Sequence, residues 1–293
     1  MKNKFLLVLF SLLHLTSAAD GFESKIKNEY NDLLSKKYAL LPHKGTFLIP
    51  FSYNNTPNNE SYKILTERSE FQDRGAYNRR IEAEFQISFL FLISKDTFNS
   101  DFNLFVGYTQ QSWWQVYNKP WSRQFRETNY NPEIFARNVM DNPTKFLGGE
   151  IVAYDFGYMH QSNGQIQELS RSWDRLFVRG AFVFGKTIVT PTLWYRLPDP
   201  DKKDENPDTE KFIGFGEIRV DRVYGRNRLG LRVIPGTHSM GVELSHSYPL
   251  TEGVRLFTKI NYGYGMSLID YNHKAERFGI GVTLTDLLSS VSN

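Results

Sequence analysis

A histidine, a hydroxyl and a carboxylate lie close together in the segments Tyr158-Met159-His160-Gln161-Ser162-Asn163-Gly164 and Ser170-Arg171-Ser172-Trp173-Asp174. Serine-dependent ester hydrolysis uses these three groups: the hydroxyl attacks an acyl carbon, the imidazole takes its proton, and the acid orients the imidazole. Side chains alternate along a strand, so His160 and Ser162 share a face if their segment is extended. Ile151 to Ser162 is apolar and aromatic enough to be that strand, with Val152, Tyr154, Phe156 and Tyr158 on the same face. A second strand over about Ser172 to Phe184 would put Asp174, Leu176 and Val178 on one face, and a hairpin would bring Asp174 beside His160. A triad among outward apolar side chains points to a lipid substrate. His-x-Ser alone is weak evidence, since His246-Ser247 is another His/Ser pair in the chain and a polar strand end entering a Ser/Asn/Gly turn explains the motif equally well.

The elements that must position these residues read as strands. The chain has 293 residues, 15% aromatic and 23% charged, with formal net charge +3 and no cysteine. That length suits one barrel or one large globular domain, and the small net charge does not indicate nucleic acid. The absence of cysteine removes disulfides, zinc–thiolate sites and thiol catalysis. Lys2 and Lys4, the apolar Phe5 to Leu15, and Thr16-Ser17-Ala18-Ala19 are expected to form a signal peptide over 1–19. No later segment offers an uninterrupted apolar run long enough for a helical membrane span. Export without a helical span leaves a periplasmic, secreted or outer-membrane barrel protein. Residues 20–44 are expected to be a periplasmic extension, a short amphipathic helix or an arm, ahead of a barrel over 45–293.

From Arg80 to Ile93 the alternation is long. Ile81, Ala83, Phe85, Ile87, Phe89, Phe91 and Ile93 share one face, and Glu82, Glu84, Gln86 and Ser88 the other. Such a strand exceeds the usual soluble length and can cross a bilayer when tilted. Phe102, Leu104, Val106 and Tyr108 repeat the pattern. About twelve antiparallel strands are expected, near 46–55, 80–93, 102–115, 131–141, 149–162, 172–184, 187–198, 210–223, 228–235, 238–248, 253–264 and 275–286. The first, third, fifth, seventh and eleventh connections are long and polar and should be external, because such barrels have long external loops and short periplasmic turns. His160, Ser162, Asp174 and Ser112 then all fall at the external end. His246 falls at the periplasmic end without a matched acid and reads as structural. Trp113-Trp114 and Tyr262/Tyr264 fit an interfacial girdle.

Several runs resemble the outer-membrane phospholipase A family: His160-Gln161-Ser162-Asn163-Gly164, Ser170-Arg171-Ser172-Trp173, Ser112-Trp113-Trp114-Gln115, Phe125-Arg126-Glu127-Thr128-Asn129-Tyr130 and Ser267-Leu268-Ile269-Asp270-Tyr271-Asn272. They come in the family's order. The resemblance implies an all-β, twelve-stranded transmembrane barrel of the bacterial outer membrane, active toward the outer leaflet on glycerophospholipids and lysophospholipids as a calcium-dependent homodimer. It implies Ser162 as nucleophile, His160 as general base, and the backbone N–H of Gly164 in the oxyanion site. It also implies calcium ligands at Ser170 through its hydroxyl, Gln165 through its carbonyl, and Ser112 from the other subunit. Glu205, in the seventh connection, matches an acidic residue linked to calcium in the monomeric form. Two departures stand out. The family usually has Asn where this chain has Asp174, which should be hydrogen-bonded to His160 and to a nearby arginine. The chain also continues past Asp286-Leu287 with Leu288-Ser289-Ser290-Val291-Ser292-Asn293 instead of ending on an aromatic residue. The alternatives are a non-catalytic porin or adhesin barrel and an exported β-sandwich esterase.

Overall fold

The computed structural model describes residues 22–35, 40–199 and 204–284. The expected signal peptide and the Leu288–Asn293 ending lie outside the described residues. Twelve strands form the wall: β1 (Phe47–Asn54), β2 (Ile81–Ser94), β3 (Phe102–Trp114), β4 (Glu127–Phe146), β5 (Gly149–Ser162), β6 (Ser172–Phe184), β7 (Thr187–Arg196), β8 (Gly216–Tyr224), β9 (Asn227–Pro235), β10 (Met240–Pro249), β11 (Val254–Gly263) and β12 (Ala275–Leu284). Each pairs antiparallel with the next, and β12 returns to β1 from Arg277↔Asn54 to Thr283↔Phe47. The barrel is therefore closed, which leaves no sheet edge unpaired inside a bilayer. No described helix is long and apolar enough to cross a membrane.

The expected count holds, with two boundary corrections. β4 runs for 20 residues from Glu127, not 131. Its ladder with β3 continues past Pro132, which sits opposite Tyr108, as far as Trp113↔Glu127. β8 starts at Gly216 rather than near 210, because Thr209–Phe212 winds into a helical turn.

The faces are inverted relative to a soluble protein. On β2, Ile81, Ile87, Phe91 and Ile93 are exposed outward while Glu82, Glu84 and Ser88 are buried in the lumen. The outward apolar surface suits hydrocarbon. The buried charges are paired, as burial requires. Glu82 accepts from Arg126 Nε (2.8 Å) and Arg277 Nη1 (2.6 Å), and Arg126 Nη1 donates to Asp270 (3.0 Å). Deeper in the lumen, Arg137 holds Asp155 through two hydrogen bonds (2.7 and 2.8 Å), and Arg179 bridges Asp155 (3.1 Å) and Glu133 (2.9 Å).

The segment expected as an extension ahead of the barrel contains helix α1 (Phe22–Ser35). Phe22, Ile26, Tyr30 and Leu34 recur every four residues and make one apolar stripe. That stripe is satisfied inside the barrel mouth. Phe22 and Ile26 pack with Val183 and Val223, and Tyr30 joins Leu41, Leu90, Phe105 and Phe135. Leu41–Pro42 pairs with Leu90 and Phe89 on β2. The helix lies at the end with the short turns, away from the triad residues.

Three local placements depart from simple alternation. A bulge between Ile151 and Ala153 turns Val152 inward against the Phe22 cluster, so it does not share the outer face of Tyr154 and Phe156. Trp113 is inward and only 2% exposed, with the Arg126 guanidinium 5.9 Å from its ring, so it is not a girdle residue, whereas Tyr262 is 54% exposed. Tyr264 packs against Phe212 of the seventh connection (5.2 Å between ring centroids). His246 pairs its Nε2 with Asn227 Oδ1 at 2.9 Å, a structural contact.

Candidate active site

The register of β5 against β6 assembles the site. Tyr158 lies opposite Leu176, His160 opposite Asp174, and Ser162 opposite Ser172. These residues face outward near the ends of their strands, with exposed Phe156, Tyr158, Leu176 and Val178 beside them. The His160 ring donates from Nδ1 to Asp174 Oδ1 at 2.8 Å. A carboxylate can only accept here, so this bond fixes the tautomer and leaves Nε2 as the acceptor a general base needs. The backbone on both sides is held: Asn131 Nδ2 donates to the His160 carbonyl (2.6 Å), and Leu197 N donates to the Asp174 carbonyl (2.8 Å).

The second partner of Asp174 differs from expectation. The Tyr158 hydroxyl donates to the same Oδ1, where an arginine was expected. Arg175, the adjacent cation, points into the lumen instead. Its guanidinium lies 3.7 Å from the Trp173 ring centroid and donates to Gln161 Oε1 (3.1 Å). Alternation makes that outcome unavoidable for a residue next to an outward Asp174.

The connection after β5 is organised by Asn163, which sequence reasoning did not single out. Its side chain is buried. Its Oδ1 accepts from Arg171 N (2.9 Å) and Gln165 N (3.3 Å), and its Nδ2 donates to the Leu169 carbonyl (2.8 Å) and to Glu127 Oε2 (3.2 Å). Glu127 in turn accepts from Asn129 Nδ2 (2.6 Å) and Ile269 N (3.1 Å), while Asn129 Oδ1 accepts from Leu268 N (2.9 Å). Two runs far apart in sequence, around Glu127 and around Ile269, thus brace the loop carrying Gly164, Gln165 and Ser170. In the sequence both runs appear only as separate motifs of the family resemblance, with no local sign that they meet.

Gly164 has φ +60, and a Cβ there would lie 3.2 Å from Tyr130 Cε2. A left-handed φ costs a side-chain-bearing residue about 1 kcal/mol. Gly164→Ala should therefore destabilise the loop by about that amount and lower turnover through displacement of its backbone N–H, while the barrel stays intact. Comparing the melting temperature and the turnover of the two proteins checks this; wild-type turnover in the variant would deny the loop's geometry any importance.

The oxygen-bearing candidates fall into two groups. Gln165 and Ser170 are on the Asn163 loop. Glu205 comes from the seventh connection, where its Oε2 lies 3.5 Å from Ser172 Oγ. That connection is tied to the eleventh by the Tyr271 hydroxyl donating to Asp208; burial and this bond raise the pKa of the Tyr271 hydroxyl. Ser112 is separate. It is buried on β3, with its Oγ 3.0 Å from Thr128 Oγ1 and accepting from Gln110 Nε2 at 3.2 Å. In the sheet order β4 lies between β3 and β5, so Ser112 is carried by a strand that does not border the loop after β5. The set is hydroxyl, carbonyl and one carboxylate, all hard oxygen donors of the kind calcium takes. Among the described residues there is no cluster of three or more His, Cys, Asp or Glu side chains suited to a metal.

The phospholipase A1 family profile matches residues 23–284. The chain is 35% identical over 266 residues to a putative phospholipase A1 of Neisseria meningitidis serogroup B, covering 89% of this chain and 68% of that protein. It is 35% identical over 243 residues to phospholipase A1 of Escherichia coli K12, covering 79% and 81%. Among solved structures, outer membrane phospholipase A from Escherichia coli superposes with a TM-score of 0.76 at 33% identity, covering 85% of this chain and 100% of that one. A Salmonella typhi outer membrane phospholipase dimer with bound calcium superposes with a TM-score of 0.78 at 33% identity, covering 88% and 97%.

Proposed function

Because the chain belongs to the phospholipase A1 family, we propose that this outer-membrane barrel hydrolyses acyl esters of glycerophospholipids and lysophospholipids through Ser162, His160 and Asp174. The observation that carries this reading is the 2.8 Å bond from His160 Nδ1 to Asp174 Oδ1, on the outward face that Ser162 shares. His160 Nε2 removes the proton as Ser162 Oγ attacks the acyl carbon, and Asp174 stabilises the imidazolium that forms. The developing oxyanion is met by the backbone N–H of Gly164. The imidazolium then gives its proton to the departing alcohol, and water repeats the sequence on the acyl-serine. The apolar flank of Phe156, Tyr158, Leu176 and Val178 accommodates the chains of the substrate and selects for lipid. Both acyl positions can be presented along such an open wall, so activity at either ester is proposed.

Calcium held by Ser170 Oγ, the Gln165 carbonyl and Glu205, with Ser112 supplied by a second copy, would contribute positive charge toward the oxyanion. The likeness to a Salmonella typhi outer membrane phospholipase dimer with bound calcium supports a dimeric active form. The obstruction of the lumen at both ends, by α1 in one mouth and by the buried Glu82–Arg126–Arg277 network near the other, argues against a porin.

The test is phospholipid hydrolysis by refolded protein in detergent, with calcium and with excess chelator. Chelation should suppress turnover, and Ser170→Ala should raise the half-activating calcium concentration roughly tenfold, as expected for loss of one neutral oxygen ligand. Crosslinking should trap more dimer with substrate and calcium together than with either alone. Full turnover in chelator would remove the metal from the reaction.

A further inference from the structure

We infer that Tyr158 is a positioning residue for hydrolysis, holding the Asp174 carboxylate in place so that Asp174 can in turn hold His160. The inference rests on the reading of Ser162, His160 and Asp174 as the reacting group.

The geometry follows from the strand pairing. Tyr158 is two residues before His160 on β5, and its direct cross-strand neighbour is Leu176. Asp174 is two residues before Leu176, so Tyr158 and Asp174 are diagonal neighbours on the same outward face. Diagonal side chains are too far apart for short residues to touch but within reach of an aromatic one. The tyrosine hydroxyl spans that diagonal and donates to Asp174 Oδ1, the oxygen that also receives His160 Nδ1–H.

The chemistry of the position explains why a donor is wanted. An outward carboxylate beside Phe156, Leu176 and Val178 has little water to solvate it when the wall is covered by lipid or by a second copy. A carboxylate has two oxygens and several lone pairs, and one histidine N–H leaves most of that charge unsatisfied. Arg175 is turned into the lumen and cannot contribute a hydrogen bond from there. Tyr158 supplies the donor from an otherwise apolar ring, so the lipid-facing surface is not broken by a second full charge. With Asp174 held by two donors, the imidazole keeps one orientation as it gains and loses its proton.

The test compares Tyr158→Phe and Tyr158→Leu with wild type, both lacking the hydroxyl and both suited to a lipid-facing position. Each should fold, as judged by heat-modifiable gel mobility. Each should lower kcat about tenfold with KM within about twofold, the size expected for one lost hydrogen bond to a charged group. Labelling of Ser162 by a sulfonyl fluoride, which needs no bilayer substrate, should slow by a similar factor. In an Asp174→Ala background, Tyr158→Phe should add no further loss, because nothing remains for the hydroxyl to hold. Wild-type kcat and labelling in Tyr158→Phe would overturn the inference, as would a full tenfold loss persisting without Asp174 or a loss confined to KM. A loss in Tyr158→Leu with wild-type behaviour in Tyr158→Phe would also overturn it, by assigning the effect to ring packing. Failure of the catalytic reading itself would look different: wild-type protein would neither hydrolyse phospholipid nor label at Ser162.

Discussion

Ser162→Ala should abolish hydrolysis, with a fall of about 10⁶-fold in turnover, because removing a serine nucleophile elsewhere costs about that much and leaves only binding and oxyanion stabilisation. The substitution deletes one hydroxyl from an outward position near a strand end. It removes no buried partner and changes no register, so the barrel should keep its heat-modifiable mobility and its β-sheet spectrum. Labelling by a sulfonyl fluoride should vanish in the same variant. Persistence of both turnover and labelling would exclude Ser162 as the nucleophile. Loss of turnover with labelling retained would place a second reactive hydroxyl at the site.

The second large effect concerns Asp174, where the family resemblance implies an asparagine. Asp174→Ala should reduce turnover by about 10²-fold, within the usual range for disabling an acid–base pair, because His160 loses the acceptor that fixes its tautomer. Asp174→Asn should lose much less. In soluble serine proteases the corresponding change costs about 10⁴ because the amide favours the wrong tautomer. Here the environment differs: Tyr158 O–H and His160 Nδ1–H both meet Oδ1, so an asparagine that places its side-chain oxygen there keeps both bonds. The tyrosine hydroxyl donates to a carboxylate oxygen or to an amide oxygen alike, and as a donor it favours the amide rotamer whose oxygen faces His160. Turnover of both variants at saturating calcium across about pH 6 to 9 decides the matter. Negligible, equal losses would reduce Asp174 to a surface charge and leave a His160–Ser162 dyad.

Much of this architecture follows from a period of two along the chain. Alternation in Ile81–Ile93 determines that Glu82 and Glu84 go to one side and Ile87 and Phe91 to the other, and the length of the strand favours a lipid-facing barrel over a soluble sandwich. The pattern of long and short connections determines which end of each strand carries the loops, and so places His160, Ser162 and Asp174 together. Their equal spacing from a hairpin loop determines that His160 and Asp174 can pair. What alternation does not carry is any insertion in the ladder or any contact between distant segments. Whether Val152 points outward depends on a bulge that shifts one strand by a residue. The apolar stripe of α1 needs a partner, but the sequence does not say that the partner is the barrel's own lumen. Asn163, Glu127 and Ile269 meet only when β4, β5 and the eleventh connection are folded together, and nothing local to any of them encodes the meeting. The donor to Asp174 is decided the same way. A nearby arginine was expected from the cost of leaving a lipid-facing carboxylate unpaired, yet the pleat turns Arg175 inward and the register brings Tyr158 across the diagonal. Short-range periodicity is a property of the backbone and is written in every residue, whereas the choice among neighbours across the sheet is settled by register, twist and side-chain reach, which exist only once the barrel closes.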